Sequence, residues 1–582
     1  MPKPISRCIP TKMKKYISYI LFFVVLLGAL EFIGRSDWLS AFQLRKRASA
    51  DSKELRIGYF PNITHAQALI AQQMELEGRP WFAPRLPEGT KISWQPYNAG
   101  PAAMEGLTLG TIDLSYVGPS PAIMAYIQRG GSVRVVSGSA EGGAALVVRQ
   151  DVKAKAAKDF VGKAIATPQL GNTQDVACRA WLIKSGIPVT TSGGLVQIVP
   201  TKNPDQLALF KTGTLEAAWT VEPWISRLEL EAGGKIVKED FETVTTVLTS
   251  ATETISRRKP LLTAFIQAHT ELTAWINAHP EEAKILLQRA LTRETHSEVP
   301  QRIVNNAFPR IKFVSALNRN SLQSYIQDGY TTGLIPEKID VSDLISLDNP
   351  ESTKESSGIF PLPSKILGFL WSGLFDGSIL SALWVTLRRL VLGYAIGFVI
   401  AVPLGLLLAQ SRLMRDTLGV LALGFQSLPS VCWVPISLVV FGQDERTILS
   451  VVVMGSVWSL MLATENGIRS VPPLYLRAAS TMGSKHFHLW TRVMFPAALP
   501  SIFSGMKQGW AFAWRSLMSA EIYVYILSGI GLGWMLNAGR EEMNVEKVYG
   551  VMLVIIIVGL VMDRLCFAPV ERWLRERWGL EK

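Results

Sequence analysis

Small polar residues and glycines follow several short apolar segments of this chain, a pattern typical of sites that hold a ligand through hydrogen bonds. The residues are Asn62, Thr64, His65, Gly118, Ser120, Gly142, Gly171, Asn172 and Thr173. Most of these positions also precede a helical pattern, and helix N-termini present free N–H groups and a positive dipole end. The pattern therefore predicts a binding site for a small anion. For each residue alone, capping or turn formation is the competing interpretation.

Two further residues are candidates for the same site. Trp219 and Glu222 lie in the strand-like segment Ala217–Trp224. We expect them to close on an organic tail or an ammonium group of the ligand.

The cysteines indicate neither a disulfide framework nor a metal site. Cys8, Cys178, Cys432 and Cys566 are scattered without paired spacing. We expect no metal, no cofactor and no catalytic residue.

The elements that position these residues alternate between strand and helix. The strand-like segments are Leu55–Phe60, Ile92–Tyr97, Ile112–Val117, Val133–Ser137, Ala144–Val148, Lys163–Ala166 and Val196–Val199. Strands alternating with helices predict mostly parallel α/β sheets. We therefore expect residues 50–347 to form a two-lobed clamshell domain with the ligand in its cleft. Residues 348–378, rich in Pro and Ser at their start, read as a linker and pre-membrane segment.

The rest of the chain has the composition of membrane spans. Five long apolar segments occur within residues 379–582: Leu387–Gln410, Leu418–Phe441, Ile448–Thr464, Ile502–Tyr525 and Val548–Phe567. A sixth, residues 16–34, has about the length that crosses a bilayer, and no cleavage site follows it closely. The sequence therefore predicts a six-helix, all-α membrane domain with an uncleaved first span.

Basic residues predict the orientation of these spans. With residues 16–34 counted as the first span, these basic residues cluster in four places. They lie in residues 1–15, between the second and third spans, between the fourth and fifth spans, and at the C-terminus. Since Lys and Arg favour cytoplasmic loops, both termini are expected inside and the 50–347 domain outside. The formal net charge of +12 would also suit nucleic acid, but no basic helix with interleaved aromatic residues occurs. We therefore expect contact with membrane lipid and none with nucleic acid.

The loop at residues 465–500 carries the most specific motif. It reads Arg477-Ala478-Ala479, three residues, Gly483, nine residues, and then Val493-Met-Phe495-Pro496. This spacing resembles the EAA loop of permeases from ABC importers, and the flanking spans are similar to permeases of the nitrate, sulfonate and taurine importer family. The resemblance implies that Arg477, Ala478, Ala479, Gly483, Val493 and Pro496 dock on an ATPase. Arg477 replaces the glutamate of the family pattern, so any contact made by that acid is lost or reversed.

The resemblance extends to the soluble half, which is similar to the binding proteins of the same importers between about residues 55 and 234. It implies import of an organic sulfonate, taurine or a nitrate-like anion, in a natural fusion of binding protein and permease. No phosphate-binding loop of the form G-x-x-x-x-G-K-[ST] occurs, so a separate ATPase subunit is expected, in two copies on a permease homodimer. Residues 20–39 and 360–364 resemble consecutive parts of such a permease. We therefore hypothesise that the binding domain is inserted in its first external loop.

Three other functions are compatible with parts of the sequence. The same architecture would serve uptake of a heterocyclic vitamin precursor of the thiamin-pyrimidine or riboflavin type. A membrane-anchored ligand sensor would also need a binding domain, although six spans and a docking loop exceed that need. An enzyme of thiamin-pyrimidine synthesis shares the clamshell fold but would require a cysteine-rich motif, and none is found in this chain.

Overall fold

The computed structural model describes residues 53–190, 193–346, 361–442, 444–484, 486–524 and 529–578. The predicted N-terminal segment 1–15, the first span at 16–34 and residues 348–360 of the predicted linker lie outside the described residues.

The part before residue 347 is an α/β domain. Its strands are β1 (Glu54–Tyr59), β2 (Lys91–Pro96), β3 (Leu114–Val117), β4 (Val133–Gly142), β5 (Ala144–Val148), β6 (Ala164–Thr167), β7 (Val189–Thr190), β8 (Gly193–Gly194), β9 (Gln197–Pro200), β10 (Ala217–Val221), β11 (Lys235–Asp240), β12 (Val244–Ala251) and β13 (Ile311–Phe313). Its helices are α1 (Ala66–Leu76), α2 (Gly100–Thr108), α3 (Pro119–Gln128), α4 (Thr173–Lys184), α5 (Asn203–Lys211), α6 (Trp224–Ala232), α7 (Thr252–Arg257), α8 (Lys259–Ala278), α9 (Pro280–Thr295), α10 (Gln301–Ala307), α11 (Arg319–Thr331) and α12 (Val341–Ile345).

The strands form two main sheets, one in each lobe. The first has the order β13-β4-β12-β3-β1-β2 and the second the order β11-β5-β10-β6-β9. Strands β1, β2 and β3 run parallel, whereas β12 is antiparallel to both β3 and β4. The chain passes from the first lobe to the second between β4 and β5, and returns between β11 and β12. The predicted two-lobed α/β clamshell is confirmed.

Each lobe has its own apolar core. In the first lobe Ile57 of β1, Leu69 of α1, Phe265 of α8 and Leu287 of α9 are fully buried together. Full burial of such a side chain stabilises the fold by about 1.5–3 kcal/mol. The chain from Lys259 to Thr295 forms the two helices α8 and α9 and not one, because the α conformation is disfavoured immediately before Pro280.

The part after residue 360 is entirely helical. Its helices are α13 (Pro363–Phe375), α14 (Ser378–Gln410), α15 (Arg412–Ser427), α16 (Ser430–Phe441), α17 (Glu445–Arg469), α18 (Pro473–Thr481), α19 (Phe495–Tyr523), α20 (Leu532–Glu541) and α21 (Val545–Arg577). By length and composition α14, α17 and α21 are apolar enough to cross a membrane, and α15 with α16 would make a fourth, broken span. The predicted fifth span is α19, which is long enough but carries Lys507, Arg515 and Glu521. The total of six spans stays a prediction.

One predicted span differs in shape from the sequence expectation. Residues 418–441 do not form one straight helix, because α15 and α16 meet at an angle of 102°. Leu428 leaves the helical conformation with ψ 130°. The ring of the following Pro429 disfavours the α region at the residue before it, so the helix ends there.

Helices α14, α17 and α19 pack closely through small residues. A Cβ at Gly393 of α14 would press on Val452 of α17, and one at Gly397 would overlap the hydroxyl of Ser456. Small residues let membrane helices approach closely and gain dispersion contacts. These three helices therefore form the centre of the described membrane domain.

Candidate functional site

A cleft of about 460 Å³ lies between the two lobes. Its walls come from segments that follow strands in both sheets. The lining residues are Phe60, Asn62, Thr64, His65, Asn98, Ala99, Gly100, Gly118, Pro121, Pro168, Asn172, Thr173, Gln174, Asn203, Val221 and Thr245. None of these side chains is an aspartate, glutamate, lysine or arginine.

The first turns of four helices line the cleft. They belong to α2, α3, α4 and α5, which begin at Gly100, Pro119, Thr173 and Asn203. Proline lies in the first turn of α2, α3 and α5, and each such proline removes an N–H donor. The first turn of α4 contains no proline. Thus α4 presents the adjacent N–H groups of Thr173 and Gln174, while the third N–H of its first turn, that of Asp175, donates to Asn172 Oδ1.

His65 is an uncharged hydrogen-bond donor in the cleft wall. Burial lowers the pKa of His65 to about 3. The backbone N–H of Phe60 donates to Nδ1 of His65 at 3.3 Å, so this nitrogen acts as an acceptor. In a neutral imidazole the proton must then be on Nε2. His65 can therefore donate one hydrogen bond without contributing a charge.

The two lobes touch at Gly118 and Thr173. A Cβ at position 118 would overlap Oγ1 of Thr173, so only glycine permits this approach. The Thr173 side chain is buried, and Oγ1 has no hydrogen-bond partner among the described residues. The hydroxyl of Ser120, buried in the first turn of α3, is also without a partner in the described part of the chain. Buried hydroxyls normally have a partner, so these two are available to a ligand.

The structure brings six of the predicted binding residues into the cleft lining. They are Asn62, Thr64, His65, Gly118, Asn172 and Thr173. Ser120 lies beside them in α3. Gly171 is one residue away from the lining and its N–H donates to Asp175 Oδ2 at 3.0 Å. Gly142 is at the crossing between the lobes, where its N–H donates to Thr243 O at 2.9 Å.

Trp219 and Glu222 do not line the cleft. Trp219 is in the core of the second lobe, with its ring 5.6 Å from that of Trp181. Glu222 accepts from Arg310 Nη1 at 2.9 Å and from the hydroxyl of Ser226 at 3.0 Å. Burial raises the pKa of Glu222 to about 7, although Arg310 and Ser226 favour the carboxylate. Their predicted contact with an organic tail or ammonium group thus has no support from their position.

Sequence reasoning did not select several residues that line the cleft. Asn98, Gln174 and Asn203 add side-chain amides to the walls. Asn203 was recognisable in principle, since it starts a helix at an Asn-Pro pair after a strand. Thr245 carried no such sequence signal. It lies on β12, which reaches the first sheet only after the chain has returned from the second lobe.

The predicted docking loop is a short helix followed by a turn. Helix α18 ends in a turn at Gly483, whose φ is +87°. Arg477 and Ala478 are exposed on this helix, whereas Ala479 is buried. Val493 and Pro496 follow at the start of the next helical segment, where the indole of Trp578 donates to Pro496 O at 2.9 Å.

Large apolar side chains are exposed around the same turn. Leu474 and Tyr475 of α18 and Met482 are 70%, 53% and 86% exposed. Residues 470–494 contain Arg477, Lys485 and Arg492 but no aspartate or glutamate. An apolar patch rimmed by polar groups is typical of a protein–protein contact.

The structure thus joins a two-lobed α/β domain with a cleft to a helical membrane domain. Comparison with known proteins identifies the class of protein. Residues 48–291 match the NMT1-like family, and residues 401–568 match the family described as binding-protein-dependent transport system inner membrane component.

Among individual relatives, a protein named as an ABC transporter permease in Methanocaldococcus jannaschii is 29% identical over 191 residues, covering 33% of this chain and 71% of the relative. The bicarbonate transport system permease CmpB of Synechococcus elongatus is 29% identical over 231 residues, which cover 40% of this chain and 79% of the relative. The nitrate import permease NrtB of Synechocystis is 24% identical over 196 residues, which cover 34% of this chain and 70% of the relative.

Two solved structures resemble the soluble half. The alkanesulfonate-binding protein SsuA from Xanthomonas axonopodis pv. citri, bound to MOPS, has a TM-score of 0.41 at 19% identity, covering 51% of this chain and 98% of that one. The periplasmic nitrate-binding protein NrtA from Synechocystis has a TM-score of 0.44 at 14% identity, covering 54% of this chain and 90% of that one.

The chain is therefore an NMT1-like binding-protein domain fused to the permease domain of an ABC importer. Its relatives are transport subunits rather than enzymes, and it is a membrane transport subunit.

Proposed function

We propose that this protein captures a small oxyanion in the cleft and passes it through its permease domain in an ATP-driven import cycle. Organic sulfonates such as taurine and nitrate-like anions are the first candidates. The observation that carries the proposal is the convergence of four helix N-termini on a cleft whose side chains are all uncharged.

The anion would be held by neutral donors. Helix N-termini stabilise negative charge through their free N–H groups and their dipoles. We assign this role to the first turn of α4 together with Asn62, Thr64, His65 Nε2, Asn172 and Thr173. Gly118 permits the close approach of the lobes, and Ser120 supplies a further hydroxyl.

Two further subunits are part of the proposal. A separate ATPase would dock on α18 and the following turn, through the exposed apolar patch and the basic residues around it. Two ATPases would bind a homodimer of permease domains, with the binding domain outside the membrane and both termini inside. The fusion implies that such a homodimer carries two binding domains.

The test is ligand binding to the purified full-length protein. Thermal-shift and calorimetric titrations would use taurine, methanesulfonate, nitrate and bicarbonate, with methanesulfonamide as an uncharged control of nearly the same shape. We expect at least one of the anions to bind, and methanesulfonate to bind at least tenfold more tightly than methanesulfonamide if sulfonates are the class. Binding of a thiamin-pyrimidine or riboflavin precursor with no response to any anion would overturn the oxyanion assignment.

A further inference from the structure

Helix α20 binds a buried polar cluster of the membrane domain through its first turn. The N–H of Leu532 donates to Thr386 Oγ1 at 2.8 Å, and the N–H of Gly533 donates to Glu521 Oε2 at 3.0 Å. Thr386 lies on α14 and Glu521 on α19. The start of α20 is therefore tied to two of the three central membrane helices.

The cluster is centred on a buried ion pair. Arg389 Nη1 is 3.1 Å from Glu521 Oε1, and the two side chains are 2% and 1% exposed. Arg389 Nη2 also donates to Gly529 O at 3.0 Å, and Thr386 Oγ1 donates to Glu521 Oε2 at 3.0 Å. A buried pair tolerates desolvation only when such additional hydrogen bonds are present.

The approach of α20 to this pair requires glycine. A Cβ at Gly531 would overlap the Glu521 carboxylate. A small cavity lined by Arg389, Val524, Ile530 and Trp534 adjoins the pair. Residues 529–531, which lead into α20, therefore contact the ion pair through Gly529 O and the close approach at Gly531.

Helix α20 also shares an apolar cluster with the binding domain. Trp534, Met535 and Ala538 of α20 belong to one continuous apolar cluster with Leu170 and Val176 of the second lobe.

Glu541, the last residue of α20, lies beside the Gln169 side chain and the Leu170 amide. Burial raises the pKa of Glu541 to about 7, while these two groups and Asn537 favour its carboxylate and Asp175 raises the pKa further.

The segment of the binding domain that α20 contacts also forms part of the cleft. Gln169 and Leu170 lie beside Glu541 of α20, whereas Pro168, Asn172 and Thr173 line the cleft. A ligand held by the first turn of α4 would therefore fix the segment 168–173 on which α20 rests.

We propose that α20 couples the cleft to the outer end of the permease, with Glu541 contacting the cleft segment and the Leu532 and Gly533 amides holding the Arg389–Glu521 pair. Glu541 acts as a positioning residue in this scheme. The inference rests on the proposed capture of a ligand in this cleft, but the contact itself exists without a ligand. When the cleft opens, α20 loses its support and the polar cluster is released.

The first test is hydrogen exchange of the full-length protein in lipid nanodiscs. Glu541→Ala removes the contact with the cleft segment. We expect the Leu532 and Gly533 amides to exchange at least tenfold faster in this variant than in the wild type. These amides lie nine and eight residues, respectively, before the substitution. Glu542→Ala is the matched control, because Glu542 pairs with Lys547 at 2.9 Å rather than with the cleft segment.

Unchanged exchange at these amides in Glu541→Ala, or an equal increase in Glu542→Ala, would overturn the coupling. The thermal midpoint of each variant checks that neither substitution destabilises the whole protein.

The second test is cross-linking of paired cysteines in a chain whose four natural cysteines are replaced. Gln169→Cys with Glu541→Cys is expected to cross-link at least fivefold more efficiently than Gln169→Cys with Glu542→Cys. Equal efficiency would remove the contact on which the proposal depends. Neither test uses a substrate or a nucleotide, so a failure here leaves the import proposal standing, and a failure of ligand binding leaves the contact standing.

Discussion

Thr173 shows how a single side chain can serve both a helix start and a ligand. Its hydroxyl is buried at the beginning of α4, faces Gly118 across the cleft, and has no partner in the part of the chain that the structure describes. Asn172, the residue before it, caps the helix by accepting from the Asp175 N–H at 2.8 Å. Capping is therefore performed by Asn172, and the Thr173 hydroxyl remains for another role.

Replacing Thr173 with valine is expected to weaken binding of the preferred anion at least tenfold. Valine has the shape of threonine but cannot donate, and a hydrogen bond to a charged group contributes about 1.5–3 kcal/mol. Calorimetry on the full-length protein measures the effect. Thr263→Val, on the exposed face of α8, is the control and should bind like the wild type; equal loss in both variants would show that the hydroxyl has no specific role.

His269 makes the binding domain sensitive to acid. It is buried between Tyr116, whose hydroxyl is 3.0 Å from Nδ1, and Gly138 O, which is 2.9 Å from Nε2. Burial lowers the pKa of His269 to about 4, although the bond to Gly138 favours the charged form. The neutral form is thus favoured by folding. This contribution to stability is complete above the unfolded pKa of 6.5 and is lost as the pH falls towards 4.

We expect the free energy of unfolding to fall less steeply with acidification in His269→Gln than in the wild type. The difference in slope should approach about 1.4 kcal/mol per pH unit between pH 6.5 and 4. Urea unfolding of the full-length protein at several pH values measures this difference in slope, with hydrogen exchange within α8 as the probe of unfolding. A slope in His269→Gln equal to that of the wild type would contradict the assignment.

At the scale of elements, α18 and its turn display a surface without acidic residues. The apolar side chains of Leu474, Tyr475 and Met482 supply contact area, and Arg477 supplies charge at the position that is glutamate in the family pattern this loop resembles. An ATPase that binds this surface needs an acidic residue or patch facing Arg477.

Arg477→Glu is therefore expected to weaken association with the cognate ATPase at least tenfold at low ionic strength. The wild-type complex should also weaken as salt is added, since exposed charges are screened over about 10 Å at 0.1 M salt. Co-purification or surface plasmon resonance over a salt series measures both effects. Arg572→Glu, exposed on the C-terminal part of α21, serves as the control; if Arg477→Glu binds as well as this variant, α18 does not use its charge in docking.

At the scale of the whole molecule, the proposed function requires the binding domain and the docking loop to lie on opposite sides of the membrane. We expect a membrane-impermeant maleimide to label Leu230→Cys in intact spheroplasts but to label Met482→Cys only after permeabilisation. Both positions are exposed, so accessibility within the protein does not limit labelling. The chain used would lack its natural cysteines. Labelling of both positions in intact spheroplasts would refute the orientation.

The sequence alone determined the class of this protein. Alternating apolar strands and helices indicated two α/β lobes, and long apolar segments with basic flanks indicated a membrane domain. These features are local: side-chain periodicity follows from the geometry of a strand or helix, and the length of a span follows from the thickness of the bilayer. Motif spacing in residues 477–496 is equally local. The fusion of binding domain and permease could therefore be inferred from the sequence alone.

Only the tertiary structure decided which side chains meet. Trp219 and Glu222 were predicted at the ligand, but strand pairing directs Trp219 into a core and places Arg310, 88 residues away, on Glu222. The contact of α20 with both domains was likewise invisible in the sequence, whereas the bend at Leu428 has a local cause in Pro429. Such contacts depend on distances between residues far apart in the chain, and local patterns of polarity do not encode those distances.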